Sequence, residues 1–339
     1  MTDLGRVAVV GAGSWGTTVA ALLAPKGDVV LWARDPGLGE QIDAAHENPR
    51  YLPGIKLPDM LAATGDLPRA CTAAGVVVLA VPSHGLRDVL TAAAPSIGAD
   101  TPVVSLSKGV EQDTHLRMTE VIADVLVGHR ADRVGVLTGP NLAREVAEGQ
   151  PTASVVAMTD PEAMVALQRL FMTATFRVYT NPDVVGCEIA GALKNVIAIA
   201  AGIAAGLGYG DNTKAALITR GLAELARLGV ALGGEPLTFS GLAGMGDLVA
   251  TCTSPKSRNR SVGVELGRGR SLADILAETK MVAEGVKSTR AVLALAAEHE
   301  VDMPIAAMVG AVLYEGRQPA DLVPALMVRE AKPELHGIR

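Results

Sequence analysis

Lys194 is the first candidate for chemistry, because it lies in a stretch of chain that is otherwise apolar. Residues 184–208 are aliphatic or small, apart from the interruptions Glu188, Lys194 and Asn195. A lysine in such a setting either extends to solvent or serves a site. Desolvation lowers a lysine pKa towards neutrality, which lets the side chain act as a general acid or base near pH 7. Residue type alone leaves both interpretations open.

The same stretch is long enough to be mistaken for a membrane span. Ionisable groups are expensive at the centre of a bilayer, so we predict a buried core helix instead. On such a helix Glu188 and Asn195 share a face, whereas Lys194 projects roughly 100° away. We therefore predict that Glu188 is a structural group rather than the partner of Lys194.

A cluster of basic and polar residues could bind a phosphate group. Residues 254–260, S-P-K-S-R-N-R, combine three basic side chains with serines and an asparagine. Arginine suits the bidentate contact with a phosphate, and serine or asparagine can bind its remaining oxygens. The alternative is a solvated basic loop. Shortly before it, Asp247 in G-M-G-D-L could orient a neighbouring lysine or simply cap a helix.

A glycine-rich turn near the start of the chain predicts a dinucleotide site. Residues 6–16, R-V-A-V-V-G-A-G-S-W-G, lead from a β-branched strand into Gly11, Gly13 and Gly16. The first glycine allows the tight turn, the second lets backbone N–H groups approach a pyrophosphate, and the third lets the next helix pack closely. Residues 17–23 read as that helix, with its positive end towards the phosphates.

The end of the second predicted strand bears on which dinucleotide binds. Arg34 lies 18 residues beyond Gly16, near the position where NAD-selective proteins place an acidic residue for the ribose hydroxyl. A guanidinium there suits a 2′-phosphate, so we expect NADP(H) to be preferred. Asp35 stands next to it and keeps NAD(H) open as an alternative.

Polar segments follow three further predicted strands, at the sheet edge where ligand-facing loops belong. They are residues 81–84, residues 105–109 and residues 139–141. An ordinary polar loop is the alternative for each. Lys108 is the most suggestive of these residues, because a lysine followed by glycine suits close approach to an anion.

The elements that must position these residues divide the chain in two. Apolar strands alternate with helical stretches in the first half, which predicts a Rossmann-type, doubly wound parallel sheet. Asn181-Pro182 then punctuates the chain, and long helical patterns follow. We predict a dinucleotide-binding domain over 1–182 and an all-α substrate domain over 183–339. The predicted strands are 6–10, 29–33, 75–81, 102–106, 134–137, 153–158 and 176–179.

Composition narrows the class of protein. The chain has 339 residues and is 49% hydrophobic, which is enough for the cores of two domains. Its formal charge is −6, so its composition does not favour a nucleic-acid-binding protein. Three dispersed cysteines without C-x-x-C spacing argue against a disulfide framework or a metal site. The first strand follows the initial methionine too closely for a signal peptide, so we expect a cytoplasmic protein.

Taken together, these motifs resemble those of bacterial NAD(P)-dependent glycerol-3-phosphate dehydrogenases, and the resemblance covers nearly the whole chain. Each motif alone is weak, but their combination in this order is specific. They are G-A-G-S-W-G-T at 11–17, S-K-G-V-E at 107–111, G-P-N-L-A at 139–143, G-A-L-K-N at 191–195, G-x-G-D-L at 244–248, S-R-N at 257–259 and V-A-E-G at 282–285.

The resemblance implies a helical second domain like the C-terminal domain of 6-phosphogluconate dehydrogenase, and it implies roles for individual residues. Lys194 would be the proton acceptor in glycerol 3-phosphate oxidation, assisted by Lys108 and Asp247. The substrate would be surrounded by Lys108, Gly139, Asn141, Lys194, Asn195, Asp247, Ser257, Arg258 and Asn259. The cofactor would be held by Gly11, Gly13, Ser14, Trp15, Gly16, Arg34, Lys108, Ala143, Arg258, Val282 and Glu284.

The reaction so implied is reversible hydride transfer between NAD(P)H and dihydroxyacetone phosphate, which supplies sn-glycerol 3-phosphate for phospholipid synthesis. Asn141 departs from the family, because many bacterial members carry Ser or Thr there, and an amide can replace a hydroxyl as a hydrogen-bonding partner. We expect a small-molecule substrate, no metal, no nucleic acid and no membrane span, and an apolar helical domain that could form a homodimer.

Two other functions stay open from the residues. One is an NADP-dependent dehydrogenase of another 3-hydroxy acid, which would not need the S-R-N cluster beside Lys194-Asn195. The other is a non-catalytic dinucleotide sensor, which would have no reason to desolvate a lysine.

Overall fold

The computed structural model describes residues 5–278 and 283–334, which form two compact units. The first unit comprises the described residues up to Ser107 together with Met118–Val184. The second comprises Lys108–Arg117 together with the described residues from Val185 onward. The predicted functional division at residue 182 stays a prediction. The sequence did not predict that Lys108–Arg117 would pack with the second unit.

The first unit is built on an eight-stranded sheet, in agreement with the predicted fold class. All seven predicted strands coincide with observed ones, because their Val-, Leu- and Ala-rich runs suit burial on both faces. The short β3, β4 and β5 were not predicted. The strands are β1 Arg6–Val10, β2 Val29–Trp32, β3 Glu47–Asn48, β4 Leu52–Lys56, β5 Ala62–Thr64, β6 Ala74–Leu79, β7 Val103–Ser105, β8 Val134–Thr138, β9 Thr152–Ala157 and β10 Phe176–Asn181.

The strand order is β10-β9-β8-β7-β6-β1-β2-β5, with β3 and β4 forming a separate hairpin. Neighbouring strands are parallel except β8 and β9, which pair antiparallel. β1 lies between β2 and β6, so the chain order reverses at β1. A reversal of this kind marks the crevice where ligands bind in open α/β sheets.

Helices cover this sheet, as alternating strand and helix patterns predict. The apolar side chains of both layers form one buried core, with Val9, Leu23 and Leu31 fully buried within it. The helices of the first unit are α1 Ser14–Leu23, α2 Pro36–Ala45, α3 Leu67–Cys71, α4 Leu86–Ala93, α5 Met118–Val125, α6 Ala143–Ala147 and α7 Pro161–Phe171.

The second unit is helical throughout its described part from Val185, which confirms the predicted all-α domain. One turn of π-helix, Leu242–Gly246, leads into α11. The helices are α8 Val184–Gly206, α9 Asp211–Ala231, α10 Pro236–Phe239, α11 Asp247–Thr253, α12 Arg258–Gly267, α13 Leu272–Glu278, α14 Glu284–Glu298, α15 Pro304–Tyr314 and α16 Leu322–Met327.

α8 is the central helix of this unit. Every residue from Gly186 to Ala204 is buried, which explains why the sequence is apolar on all sides. By length and composition α8 could also cross a membrane, but 89% of its most apolar window is buried inside the protein. A core helix surrounded by other helices passes the same test, so this signal is weak evidence for a span.

α8 and α12 pack backbone against backbone. A Cβ atom on Gly202 of α8 would lie 2.2 Å from the carbonyl oxygen of Arg260, and one on Gly263 of α12 would lie 2.1 Å from that of Ile199. Real Cβ atoms do not approach carbonyl oxygens so closely, so glycine is required on both helices. The crossing fixes the spacing between the helix that carries Lys194 and the helix that begins at Arg258.

Candidate active site

The glycine turn after β1 has the geometry that a phosphate-binding turn needs. Gly11 has a φ of 121°, and a Cβ there would lie 2.6 Å from the carbonyl oxygen of Ala80. A Cβ on Gly16 would lie 2.0 Å from the carbonyl oxygen of Gly11, so α1 packs tightly on the turn. Gly13 precedes α1, and a Cβ there would meet nothing within 4 Å. The turn is therefore closed towards the protein and open at Gly13, where a pyrophosphate can approach.

Ser14 and Trp15 begin α1 with their side chains in different settings. The Ser14 hydroxyl donates to the carbonyl oxygen of Tyr51 at 2.6 Å, which ties α1 to the β3–β4 hairpin. The Trp15 ring lies 6.2 Å from the Phe176 ring, centroid to centroid. Its buried indole N–H has no hydrogen-bond partner among the described residues. Because this N–H is itself buried, the predicted contact of Trp15 with a cofactor stays a prediction.

Arg34 and Asp35 follow β2 and differ in the contacts that their side chains make with the rest of the protein. Arg34 is exposed. The Asp35 carboxylate accepts from the backbone N–H of Gly37 at 3.1 Å, which caps α2, and lies 3.0 Å from the Arg50 guanidinium. The hydrogen bond from Arg50 is the main reason that the pKa of Asp35 lies below its ordinary value. The Asp35 carboxylate is therefore engaged by the cap of α2 and by Arg50. Arg34 is exposed and takes no part in that cap.

The segment after β8 is held against β9. Gly139 has a φ of 131°, which explains the glycine after Thr138. The Asn141 amide donates to the Ser154 hydroxyl at 2.9 Å, and Ser154 in turn donates to the carbonyl oxygen of Thr138 at 2.7 Å. Ala143 begins α6, and its carbonyl oxygen accepts from the Thr18 hydroxyl of α1 at 3.1 Å. The predicted residue Ala143 thus contacts the helix that follows the glycine turn.

Two lysines share one buried carboxylate in the second unit. Lys194 Nζ donates to Asp247 Oδ1 at 2.5 Å, and Lys108 Nζ donates to Asp247 Oδ2 at 2.7 Å. The side chains of Asp247 and Lys194 are 2% and 7% exposed, and that of Lys108 is 15% exposed. Residues 108, 194 and 247 are far apart in the chain, so the fold assembles this cluster. Its three ionised groups carry a net charge of +1.

Burial lowers the pKa of Lys194 from 10.5 to about 8. The negative charge of Asp247 opposes this shift, and the neighbouring positive charge of Lys108 reinforces it. An amine with a pKa near 8 can both give and take a proton close to neutral pH. The cluster therefore contains a buried amine whose pKa suits acid–base chemistry, and the role of Lys194 as proton acceptor stays a prediction from the family.

Thr251 is part of this cluster and was not predicted. Its hydroxyl accepts from Lys194 Nζ at 2.7 Å and donates to the backbone carbonyl oxygen of Asp247 at 2.7 Å. Asp247 and Thr251 are four residues apart on α11, so they share a helix face. That spacing was the signal in the sequence. Asp247 and Thr251 engage two of the three N–H groups of Lys194, which orients the third.

A chain of amide hydrogen bonds links α14, α12, α8 and Lys108 in the second unit. The backbone N–H of Gly285 donates to Asn259 Oδ1 at 2.9 Å, and Asn259 Nδ2 donates to Asn195 Oδ1 at 2.9 Å. Asn195 Nδ2 then donates to the backbone carbonyl oxygen of Lys108 at 3.4 Å. Both asparagines are buried. The chain joins the start of α14, the start of α12 and the middle of α8.

The S-R-N segment forms the start of α12. Ser257 is the N-cap, and its hydroxyl accepts from the backbone N–H of Arg260 at 3.3 Å. Arg258 is exposed, whereas Asn259 is buried. A helix start that carries an arginine and backbone N–H groups favours an anion. Lys256 lies just before it and is exposed, so this segment is neither fully solvated nor fully buried.

The remaining predicted residues are near the start of α14. Glu284 is its first residue and is partly buried, next to Gly285 of the amide chain. Val282 lies outside the described residues. Within residues 5–278 and 283–334, no group of three or more His, Cys, Asp or Glu side chains could hold a metal ion.

Comparison with known proteins finds similarity over nearly the whole chain. The family pattern described as NAD-dependent glycerol-3-phosphate dehydrogenase N-terminus matches residues 6–164, and the C-terminus pattern of the same family matches residues 183–324. A glycerol-3-phosphate dehydrogenase [NAD(P)+] 2 from Sphingopyxis alaskensis is 55% identical over 331 residues, which cover 98% of each chain. One from Thermobifida fusca is 53% identical, covering 98% of this chain and 99% of the relative.

A solved structure gives the same result. The crystal structure of glycerol-3-phosphate dehydrogenase from Coxiella burnetii superposes with a TM-score of 0.91 at 39% sequence identity, covering 96% of this chain and 99% of that one. These similarities confirm the resemblance that the motifs predicted. The chain belongs to the NAD-dependent glycerol-3-phosphate dehydrogenase family.

Proposed function

We propose that this chain catalyses reversible hydride transfer between NAD(P)H and dihydroxyacetone phosphate, giving sn-glycerol 3-phosphate. The observation that carries the proposal is the buried cluster of Lys194, Asp247 and Lys108. A carbonyl oxygen that receives a hydride on its carbon gains negative charge. A buried ammonium group next to it stabilises that charge before it transfers a proton.

Lys194 is the proton donor in the direction of reduction and the proton acceptor in the direction of oxidation. Asp247 and Thr251 engage two of its N–H groups, and the third can point to the substrate oxygen. Lys108 shares Asp247, so the carboxylate does not neutralise Lys194 alone. The net positive charge of the cluster would stabilise the negative charge that develops on the substrate oxygen. Asn195 adds a neutral amide beside it.

The start of α12 is proposed to bind the phosphate of the substrate. Arg258 supplies a guanidinium that fits a phosphate, and the N-terminal end of the helix favours the dianion. Asn259 adds an amide whose orientation is fixed by Asn195 and Gly285. Binding energy from the phosphate, which does not react, serves to orient the carbonyl towards Lys194. Contacts from Ser257, Gly139 and Asn141 to the substrate stay predictions from the family.

The first unit fits a nicotinamide dinucleotide, which supplies or accepts the hydride when bound. Gly13 leaves room for a pyrophosphate at the positive end of α1, at the point where the strand order reverses. Ser14 and Trp15 lie at that helix end. The assignments of Lys108, Ala143, Arg258, Val282 and Glu284 to the cofactor stay predictions.

A preference for NADP(H) is proposed on the setting of Arg34 and Asp35. Asp35 is held by the cap of α2 and by Arg50, which reduces its ability to accept from a ribose hydroxyl. The exposed Arg34 offers a guanidinium that suits a 2′-phosphate. NAD(H) is the alternative, and the ratio of rates with the two cofactors decides between them.

In the cell, the proposed role is supply of glycerol 3-phosphate for phospholipid synthesis by a cytoplasmic enzyme. We further propose that it needs no metal and does not bind nucleic acid or span a membrane. Association into a homodimer is a prediction that light scattering on the purified chain would test.

The experiment that tests the activity follows the 340 nm absorbance of NADPH and, separately, of NADH, with dihydroxyacetone phosphate present. Loss of absorbance that depends on the substrate would support the proposal. A folded protein that binds NADPH without turnover would contradict it and favour a dinucleotide sensor. Turnover with a phosphate-free 3-oxo acid but not with dihydroxyacetone phosphate would favour the other dehydrogenase.

A further inference from the structure

Residues 108–117 form a short strap that belongs to the second unit, although the chain on both sides of it belongs to the first. Val110 and Arg117 pair antiparallel across the strap, and the backbone N–H of Glu111 donates to the carbonyl oxygen of Leu116 at 2.9 Å. Val110 is 2% exposed and packs in the core of the second unit. The strap is therefore a folded piece of that unit, and Lys108 is its first residue.

Both ends of the strap are attached to α8. At its start, the carbonyl oxygen of Lys108 accepts from Asn195 Nδ2 at 3.4 Å. At its end, Arg117 Nη1 donates to Glu188 Oε2 at 3.0 Å. Glu188 and Asn195 are seven residues apart, so they lie on one face of α8, about 10 Å from each other along the helix axis. This face of α8 therefore contacts the strap at both of its ends.

The attachment at Glu188 is buried, whereas Gln112 and His115 of the strap make exposed contacts. The side chains of Arg117 and Glu188 are 16% and 2% exposed. Gln112 donates to the carbonyl oxygen of Lys287 at 3.1 Å, and His115 lies 2.8 Å from Glu298, both in exposed positions on α14. Exposed ion pairs contribute little to stability, but removing one partner of a buried pair is costly. The buried Arg117–Glu188 pair is thus a stronger constraint on the strap than the exposed contacts of Gln112 and His115.

We propose that Arg117 and Glu188 are positioning residues whose ion pair holds the strap on α8 so that Lys108 remains on Asp247. This inference rests on the proposed function, because it assigns to the pair the charge environment of Lys194. Arg117 pairs with Glu188, and Lys108 of the same strap pairs with Asp247, so we expect the first pair to act on Lys194 and Asp247 through Lys108.

Displacing Lys108 changes the electrostatics of Lys194 in a defined direction. Among the described residues, the charged groups that shift the pKa of Lys194 are Asp247 and Lys108, and its other contact, Thr251, is neutral. Burial raises the pKa of Cys252 to about 12, so that thiol is also neutral. Without Lys108, Asp247 interacts with Lys194 alone, and Lys194 keeps its proton to higher pH. The pH above which the rate of reduction falls is then expected to be higher.

The test compares Glu188→Gln and Arg117→Met with wild type, using Lys108→Met as the reference for a lost lysine. Glu224→Gln is the matched control, because Glu224 is also a buried carboxylate of the second unit and accepts from the backbone N–H groups of Ile305 and Ala306. The pKa of Lys194 is measured by NMR of the full chain with 13C-labelled lysines. Turnover with dihydroxyacetone phosphate is measured on the same samples.

We expect Glu188→Gln, Arg117→Met and the reference Lys108→Met each to raise the Lys194 midpoint by about half a pH unit or more. We expect kcat to fall about tenfold with little change in the KM for NADPH. Arg117→Lys keeps a cation at the strap and should restore most of both. Combining Glu188→Gln with Lys108→Met should shift the midpoint no further than Lys108→Met alone.

An unchanged Lys194 midpoint in folded Glu188→Gln and Arg117→Met would overturn the inference, as would an equal shift in Glu224→Gln. Loss of thermal stability without a shift in the midpoint would overturn it too, since it would show a structural role alone. The NMR titration does not depend on turnover. If wild type fails to reduce dihydroxyacetone phosphate while the midpoint shifts as expected, the proposed function fails and the positioning of Lys108 by the pair stands.

Discussion

Replacing Lys194 with methionine removes the ammonium group of the cluster while keeping a long apolar side chain in a buried position. In wild type, burial sets the pKa of this group at about 8. Reduction requires the protonated lysine, so its rate is expected to fall as pH rises through that value. Oxidation requires the neutral amine, so its rate is expected to rise over the same interval.

The size of the effect follows from the titration. With a pKa near 8, about nine tenths of Lys194 is protonated at pH 7 and about one tenth at pH 9, so reduction should slow roughly tenfold between them. A positioned general acid contributes about 10²- to 10⁴-fold to the rate. Lys194→Met should therefore lower kcat by that factor at pH 7. Its residual rate should no longer fall as pH rises through about 8.

The assay is the loss of NADPH absorbance at saturating dihydroxyacetone phosphate between pH 6 and pH 10, with NADPH affinity measured separately by fluorescence. Lys214→Met is the matched control, because Lys214 is a partly exposed lysine of the same unit paired with Asp211. A Lys194→Met variant with more than about one tenth of wild-type kcat would refute the assignment. So would a fall in rate through about pH 8 that survives unchanged in the variant.

Three further outcomes are expected. Arg258→Ala should raise the KM for dihydroxyacetone phosphate about 10- to 100-fold, as loss of a charged hydrogen bond predicts, and an unchanged KM would remove Arg258 from the phosphate site. Arg34→Ser should raise the KM for NADPH about tenfold but not that for NADH; equal effects on both would exclude a 2′-phosphate contact. Gly263→Ala should destabilise the protein by about 2 kcal/mol or more in urea unfolding, because its Cβ would overlap the carbonyl oxygen of Ile199, and wild-type stability would show that α8 and α12 can separate freely.

The sequence predicts most of the sheet because its strands are local signals. Runs such as that of Val76–Val78 are apolar on both faces, and a short stretch is enough to recognise them. β5, Ala62–Thr64, has only three residues and no β-branched run, so it forms because β2 offers a free edge. The antiparallel pairing of β8 with β9 depends on how the segment after Gly139 turns back, which local pattern does not encode.

The candidate site divides in the same way. Lys194 and the glycine turn are visible in the sequence because an isolated charge and a glycine spacing are local features. The shared carboxylate is not, since Lys108 and Asp247 are separated by 139 residues and meet only in the folded chain. The placement of residues 108–117 in the second unit likewise follows from packing, with Val110 in its core, rather than from any boundary signal.

The glycine crossing of α8 and α12 has a consequence for which substrates fit. Side chains at an ordinary helix contact can change rotamer, so the helices can adjust their separation. Here main-chain atoms are already in contact at Gly202 and Gly263, and no rotamer exists to compress or extend. The backbone contact therefore fixes the separation between Lys194 and the start of α12. Under the roles proposed for Lys194 and Arg258, this fixed separation would select substrates by the span between their carbonyl oxygen and their terminal phosphate.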